Sequence, residues 1–210
     1  MSGLSPGFAI QRGFSEAHRD DTAVLFWQAF SGKLGKILAP HDRALEWLRR
    51  ILDPAFAISA VDESGDLLGL AGFKTSEGAL AGGSLADLAG VYGWTGALWR
   101  GALLSVTDRD VNPDLLLMDG IFVADHARGR GVGTALLDAI VEEARKRGKS
   151  GVRLDVIDTN PRAQALYERR GFVGVSTEET GIFAGLFGFC SALRMERRFA
   201  QSPSNSAVDR

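Results

Sequence analysis

Leu115-Leu116-Leu117-Met118-Asp119-Gly120-Ile121-Phe122-Val123 runs directly into Ala124-Asp125-His126-Ala127-Arg128-Gly129-Arg130-Gly131-Val132-Gly133-Thr134. The first nine residues are an apolar run of strand length. Beyond the loop a helix is predicted as far as Arg147, with Ala135, Leu136, Ala139, Ile140 and Ala144 turned inward and Gly148 closing it. Glycines alternate at 129, 131 and 133, so the backbone can turn tightly and present its N–H groups outward. The helix behind adds its positive N-terminal end. Strand, loop and helix together predict a site for an anion, most naturally a phosphate or pyrophosphate. Arg128 and Arg130 bring positive charge beside it.

Two nucleotide motifs fit this loop poorly. A nucleotide P-loop needs Gly-Lys-Ser/Thr at the helix start, whereas Gly133 is followed by Thr134 with no lysine. A dinucleotide fingerprint needs its third glycine or alanine three residues after the second. That place is Thr134 counting from Gly129 and Gly131, and Leu136 counting from Gly131 and Gly133. A nucleotide-dependent oxidoreductase is therefore disfavoured.

Downstream, Val152 to Val156 reads as a strand, and Asn160-Pro161 is a strong helix start, with Gly171 beyond that helix's end. Phe172 to Thr177 and Ala192 to Phe199 are predicted to pair as an antiparallel hairpin, since no helix is expected between them. Upstream, Phe8 to Arg12 is a first strand. A helix opens at Ser15-Glu16 with Ala23, Val24, Phe26, Trp27 and Phe30 on its apolar side, and Gly32 is expected to stop it. A second helix is predicted from His41 to Leu52. Ala55 to Val61 and Leu67 to Phe73 flank Asp62-Glu63-Ser64-Gly65-Asp66 as a β-hairpin. Residues 75 to 110, rich in Gly, Ala and Leu and carrying Tyr92, Trp94 and Trp99, read as one or two inserted helices. They serve either as core packing or as the wall of a pocket for a small apolar substrate. The order implies an α/β fold with a mixed, mostly antiparallel sheet flanked by helices.

The pattern Arg128-x-x-Gly131-x-Gly133 after Ile121-Phe122-Val123 resembles the acetyl-CoA loop of the GNAT superfamily of N-acetyltransferases. Leu154-Asp155-Val156, then Asn160, Ala163, Leu166-Tyr167-Glu168 and Gly171-Phe172, resembles that superfamily's second cofactor motif. The resemblance implies a GNAT fold over residues 1 to 199 as one domain. Its acetyl-CoA-binding core would span 115 to 173, with the helical insertion at 75 to 110 and a flexible tail at 200 to 210. It also implies that the main chain of Ile121, Phe122 and Val123 pairs with the pantetheine arm. The pyrophosphate would lie on the amides of Arg128, Gly129, Arg130, Gly131, Val132, Gly133 and Thr134. Asn160, Ala163 and Tyr167 fall on one helical face, and small Ala163 would let a thin chain pass close.

Acetyl transfer needs a neutral amine, a polarised thioester carbonyl and a protonated leaving thiolate. At its family position Tyr167 is the implied acid, and a main-chain N–H near Val123 is the implied partner of the oxyanion. For the base, Asp119 stands four residues before Val123, which strand parity puts on Val123's face. Asp119-Gly120 could instead mark a bulge. Six residues before Val123, where some members of the superfamily carry a glutamate, stands Leu117, so the base does not transfer from the resemblance. No nucleophile is placed to carry an acyl intermediate, so direct transfer in a ternary complex is expected. The acceptor would be a primary amine of a small molecule or peptide. A non-catalytic acyl-CoA-binding regulatory module is the rival reading.

Composition narrows the classes further. Among 210 residues, 24 basic against 26 acidic side chains leave a formal charge of −2, which argues against a dedicated nucleic-acid binder. Between 126 and 170, ten Lys and Arg face six Asp and Glu, an excess of four that suits a polyanionic cofactor. The single Cys190 excludes a disulfide framework and any Cys-based zinc site, and is expected to be a small apolar filler. His18 and His41 have no metal-ligand partner in sight, and no metal is expected. The uncharged stretch between Asp87 and Arg100 holds twelve residues and the longest, Thr180 to Leu193, fourteen, too few to cross a bilayer. Residues 1 to 7 show no targeting pattern, so the cytoplasm is the expected location. The apolar insertion and Gly181 to Phe189 could cover an interface between two copies, a homodimer.

Overall fold

The apolar run at Leu115–Val123 lies at the centre of a seven-stranded sheet in the computed structural model, which describes residues 7–105, 110–181 and 184–200. The elements follow the chain as β1 (Phe8–Arg12), α1 (Arg19–Leu38), α2 (His41–Ile51), β2 (Ala57–Asp62), β3 (Leu67–Lys74) and α3 (Leu85–Ser105). Then come β4 (Leu115–Val123), α4 (Val132–Lys146), β5 (Gly151–Ile157), α5 (Pro161–Arg169), β6 (Val173–Glu179), α6 (Ala184–Phe187) and β7 (Ser191–Arg198). The sheet order is β1-β2-β3-β4-β5-β7-β6, and only the β4–β5 pair is parallel. The expected mixed, mostly antiparallel sheet is what forms. The tail at 201–210 and residues 106–109 of the insertion lie outside the described residues.

Helices cover both faces of the sheet. On one face α4 packs across the central strands, burying Val132, Leu136, Leu137, Ile140, Val141 and Ala144. The approach is close enough that a Cβ on Gly69 would stand 2.7 Å from the carbonyl oxygen of Phe122 and 3.3 Å from Leu136. On the other face the rings of Phe26 and Phe30 from α1 meet Phe122 of β4 at 5.4 and 5.5 Å between centroids. Burial of one such side chain stabilises the fold by about 1.5–3 kcal/mol. Arg19, at the start of α1, donates to the carbonyls of Arg49 and Leu52 at 3.0 and 2.7 Å, satisfying the C-terminal end of α2.

Two local expectations change, at Gly32 and between the last two strands, and the inserted helices form behind a loop. Gly32 does not stop α1, which continues through Gly35 to Leu38. Ile37 and Leu38 are fully buried there, and their burial outweighs the cost of about 1 kcal/mol for each helical glycine. Ala39-Pro40 is the actual terminator. The insertion is a looped segment at 75–84 followed by α3, which is two helical pieces joined at Gly93 (φ 71°, ψ 163°). The pairing of β6 with β7 is antiparallel as expected, but the one-turn helix α6 lies between them.

Candidate active site

β4 is held along its whole described outer half by β3, from Gly69↔Val123 to Lys74↔Leu117. Its parallel ladder with β5 has only three rungs, Leu115↔Gly151, Leu116↔Val152 and Leu117↔Arg153. Past Arg153, β5 stays with β7 as far as Ile157↔Ala192. The two central strands therefore splay apart, and from Met118 to Val123 the edge of β4 that would face β5 carries no strand ladder among the described residues. Ile121 and Val123 are half-buried on this open stretch, while Phe122 is buried toward α1.

The glycine loop stands at the open end of the splay. Gly129 and Gly131 adopt φ of 77° and 83°, a region that side chains other than glycine occupy at a cost. A Cβ on either would meet nothing within 4 Å, so conformation and not crowding demands glycine in the protein alone. Gly131 is the N-cap of α4 and supplies no side-chain acceptor, which leaves first-turn N–H groups at Val132, Gly133 and Thr134 for a ligand. Arg128 and Arg130 are exposed beside them. Arg128 is partly engaged already, paired with Asp125 at 2.8 Å. At Gly133 three elements converge, because a Cβ there would lie 3.7 Å from Val123 of β4 and 3.8 Å from Leu166 of α5.

Helix α5 closes the third side. Asn160 caps it, its Oδ1 accepting from the N–H of Ala163 at 3.2 Å, and Pro161 fills the first turn. Arg170 ties the end of α5 to Asp138 of α4, with Nε donating at 3.1 Å. Two turns after Asn160, Tyr167 is buried against Phe172, with 6.0 Å between ring centroids. Its hydroxyl makes no hydrogen bond among the described residues. Burial pushes the phenol pKa up to about 12, so it stays protonated throughout the neutral range.

Asp119 is placed differently from the parity expectation. The β3–β4 ladder steps from Gly72↔Gly120 directly to Phe73↔Met118, which makes Asp119 the extra residue of a β-bulge. The bulge breaks the alternation. Val123 faces α4 at Gly133, whereas Asp119 lines a cavity of about 770 Å³ on the α1 and α3 side. Asp155, between Leu154 and Val156 in the second motif, has no role that its place in the sequence implies. It lies two residues past the last β4–β5 rung, on the opposite arm of the splay from Asp119, near Arg153 (3.3 Å) and Arg194 (4.0 Å).

Other candidates separate clearly. His18 is a structural clip, its ring nitrogens within 3.1 Å of Ser15 Oγ and 2.8 Å of the Gly65 carbonyl. The His41 ring packs edge-on against Trp27. Cys190 is exposed, which corrects the expectation of an apolar filler; the β7 turn leaves its side chain outside while its N–H donates to Asp158. Among the described residues there is no group of three or more His, Cys, Asp or Glu side chains that could hold a metal ion, and no helix long and apolar enough to cross a membrane.

A family model described as "Acetyltransferase (GNAT) family" matches residues 20–172. An uncharacterized N-acetyltransferase of Methanocaldococcus jannaschii is 48% identical over 52 residues, 25% of this chain and 23% of that protein. Thialysine N-epsilon-acetyltransferase of Bos taurus is 30% identical over 82 residues, 39% of this chain and 41% of that protein. The chain thus spans under half the length of these curated relatives. Among solved structures, a GCN5-related N-acetyltransferase from Kribbella flavida superposes with a TM-score of 0.61 at 19% identity, covering 93% of this chain and all of that one. At that identity the likeness speaks for the fold.

Proposed function

This chain belongs to the GNAT acetyltransferase family, and from that premise we propose that it transfers the acetyl group of acetyl-CoA to a primary amine by direct attack in a ternary complex. The observation that carries the reading is the splay of β4 from β5 beyond Leu117 and Arg153, with the uncapped start of α4 beside its open end. An open strand edge can pair with an extended amide-bearing arm, and the helix start can take the pyrophosphate at the other end of the same donor. The donor supplies an activated thioester carbonyl. Ile121, Phe122 and Val123 offer it main-chain hydrogen bonds, and the amides of Arg128 to Thr134 hold its phosphates. Ala163, the small residue on the α5 face shared with Asn160 and Tyr167, leaves room for the arm.

In the transfer a bond forms between the amine nitrogen and the acetyl carbon while the carbon–sulfur bond breaks. Tyr167, held protonated by burial, gives its proton to the departing thiolate. A main-chain N–H near Val123 meets the charge that develops on the carbonyl oxygen. Asp119, on the α1 side of β4, receives the proton that the ammonium must lose. The name of the Bos taurus relative, an acetyltransferase of an ε-amine, supports a primary amine as acceptor. Calorimetry or native mass spectrometry with acetyl-CoA, NAD and ATP tests the donor. Binding of acetyl-CoA alone is the expected result, and failure to bind any CoA ester overturns the reading. Binding without CoA release from any amine would favour a regulatory acyl-CoA module.

A further inference from the structure

The two pieces of α3 form a hairpin. A Cβ on Gly101 would stand 3.0 Å from Leu85 and 3.9 Å from Leu88. A straight helix would set Leu85 and Gly101 roughly 24 Å apart, so the pieces fold back on each other about Gly93. The turn is anchored. The Tyr92 hydroxyl donates to the Leu38 carbonyl at 2.6 Å, and Arg100 lies over the Tyr92 and Trp99 rings while donating to the Ala39 carbonyl at 3.1 Å. On that fixed support Trp94 is 66% exposed, Leu98 59%, Trp99 45% and Leu85 40%. With a tryptophan offering about 250 Å² and a leucine rather less, those fractions leave on the order of 450 Å² of apolar surface on this one element. A surface of that size marks an interaction site. Trp94, Leu98 and Ala102 recur every four residues along one side of the second piece, with Thr95 and Trp99 beside them. Leu85, Leu98, Gly101 and Ala102 also border the cavity that Asp119 lines, and Trp94 extends the same side beyond it. The exposed apolar side is thus the α3 edge of that cavity.

The border of this surface carries both signs of charge. Arg43 and Glu46 of α2 stand close enough to the Tyr92 hydroxyl to act on it, and Arg50, which pairs with Glu46, acts likewise on Asp87. Asp87 already accepts from the N–H and hydroxyl of Ser84 at 2.8 and 2.7 Å. With Arg100 this makes three arginines against two carboxylates, most of them engaged within the chain. Anionic membranes recruit proteins through clusters of about four to eight cations, which this border does not supply. A border of mixed sign meets its own copy without net repulsion. The area fits the same occupant: two copies bury about 900 Å² from these four side chains alone, and with a rim the contact passes the roughly 1,000 Å² of a specific interface. We propose that a second copy of this chain covers this surface, hairpin against hairpin about a two-fold axis with Trp94 and Leu98 in the core of the contact, and that the pair closes the α3 side of the Asp119 cavity. The pairing stands without the acetyl-transfer reading; that the closed cavity holds an acceptor amine rests on it.

Sedimentation equilibrium on the full chain should give twice the chain mass at about 100 µM and dissociation on dilution, with a Kd at or below roughly 10 µM. Trp94→Glu and, separately, Thr95→Arg place a charge in the contact at positions that are exposed in the single chain and do not line the cavity. Each should weaken the pairing by about tenfold or more and leave the far-UV circular dichroism spectrum unchanged. Closure is read from a thiol at Ala102→Cys, in a Cys190→Ser background because Cys190 is itself exposed. At about 100 µM chain that thiol should react with 5,5′-dithiobis(2-nitrobenzoate) about tenfold more slowly, or less, than when Trp94→Glu is added. A wild type that stays monomeric at this concentration, or a dimer that both charged variants leave intact, overturns the pairing. Equal thiol reactivity with and without Trp94→Glu overturns the closure. A monomeric wild type that sediments with phosphatidylglycerol vesicles, while Trp94→Glu does not, overturns the second copy in favour of a membrane. Calorimetry with acetyl-CoA should give the same affinity for wild type and Trp94→Glu; its failure to bind either overturns the acetyl-transfer reading and leaves the pairing to the sedimentation result.

Discussion

Leu117 and Arg153 form the last rung between the two central strands, and the chemistry proposed for this chain lies beyond that rung. On the β4 arm a bulge turns Asp119 toward the α1 side; on the β5 arm Asp155 follows Arg153 at the same remove. The splay leaves backbone N–H and C=O groups of β4 without a strand neighbour in the middle of a sheet. Such groups are costly to bury unless something pairs with them. A central strand that gives up half of one ladder is thus evidence for a ligand at that edge.

Tyr167→Phe should keep acetyl-CoA affinity within about threefold and lower turnover by about 10²-fold or more, the range of general acid catalysis. The substitution removes only a hydroxyl that no described residue engages, so packing against Phe172 survives. Calorimetry and steady-state kinetics on the same preparation check both halves. Unchanged turnover removes Tyr167 from the acid role.

The same residue predicts a pH effect on stability. Burial raises the Tyr167 pKa from 10.0 to about 12, so the folded chain holds this proton more tightly than the unfolded chain. The stabilisation is complete below pH 10 and is lost as pH rises through 12, in all about 2–3 kcal/mol. Tyr92 is shifted in the same direction by burial and contributes its own alkaline loss. The difference between wild type and Tyr167→Phe in urea denaturation at pH 9 and pH 11 isolates Tyr167. Parallel curves at both pH values would contradict the assignment.

Gly131→Ala separates binding from folding. With φ at 83° an alanine costs about 1–2 kcal/mol of stability, yet its methyl group meets nothing within 4 Å in the protein alone. A donor phosphate close to the backbone would meet that methyl group. Acetyl-CoA affinity should fall at least tenfold while the melting transition shifts by only a few degrees. Equal affinity for the two proteins means that the phosphates lie elsewhere.

How much could be read in advance follows from where each signal resides. The apolar run of β4, the glycine loop and the Asn160-Pro161 cap are local: each residue's preference and its structural role concern neighbours within one turn. Gly32, Asp119 and Cys190 are different. Gly32 carries a real preference to end a helix, overridden by burial of Ile37 and Leu38 several residues away. Asp119 obeys strand parity until β3 skips it, a fact belonging to the partner strand. The 75–110 composition left core packing and a pocket wall both open, and α3 does both, burying Leu88, Tyr92 and Ala97 while Leu98 lines the cavity.

Gly35→Ala follows from the first of these. Gly35 lies inside α1, and a Cβ there meets nothing within 4 Å. The substitution should stabilise the fold by about 0.5–1 kcal/mol through helix propensity and a less flexible unfolded chain. Denaturant midpoints at constant slope measure it. A loss of stability would mean that the α1 backbone here departs from regular helix.

Asp119→Asn tests the base. At neutral pH an alkylammonium is almost entirely protonated, since its pKa is near 10.4 for a lysine-like amine, and the wild-type carboxylate can accept the proton it must shed. The asparagine variant has no such acceptor and depends on the free amine in solution. Its rate should fall about 10²-fold at pH 7 and recover progressively toward wild type as pH approaches 10. Asp155→Asn serves as the contrast, because Asp155 lies beside Arg153, whose side chain is only 8% exposed. Neutralising Asp155 should lower stability by about 1–3 kcal/mol. A mutant-to-wild-type rate ratio for Asp119→Asn that stays flat from pH 7 to pH 10 would remove Asp119 from the base role. A ratio that rises with pH for Asp155→Asn alone would move the role across the splay to β5.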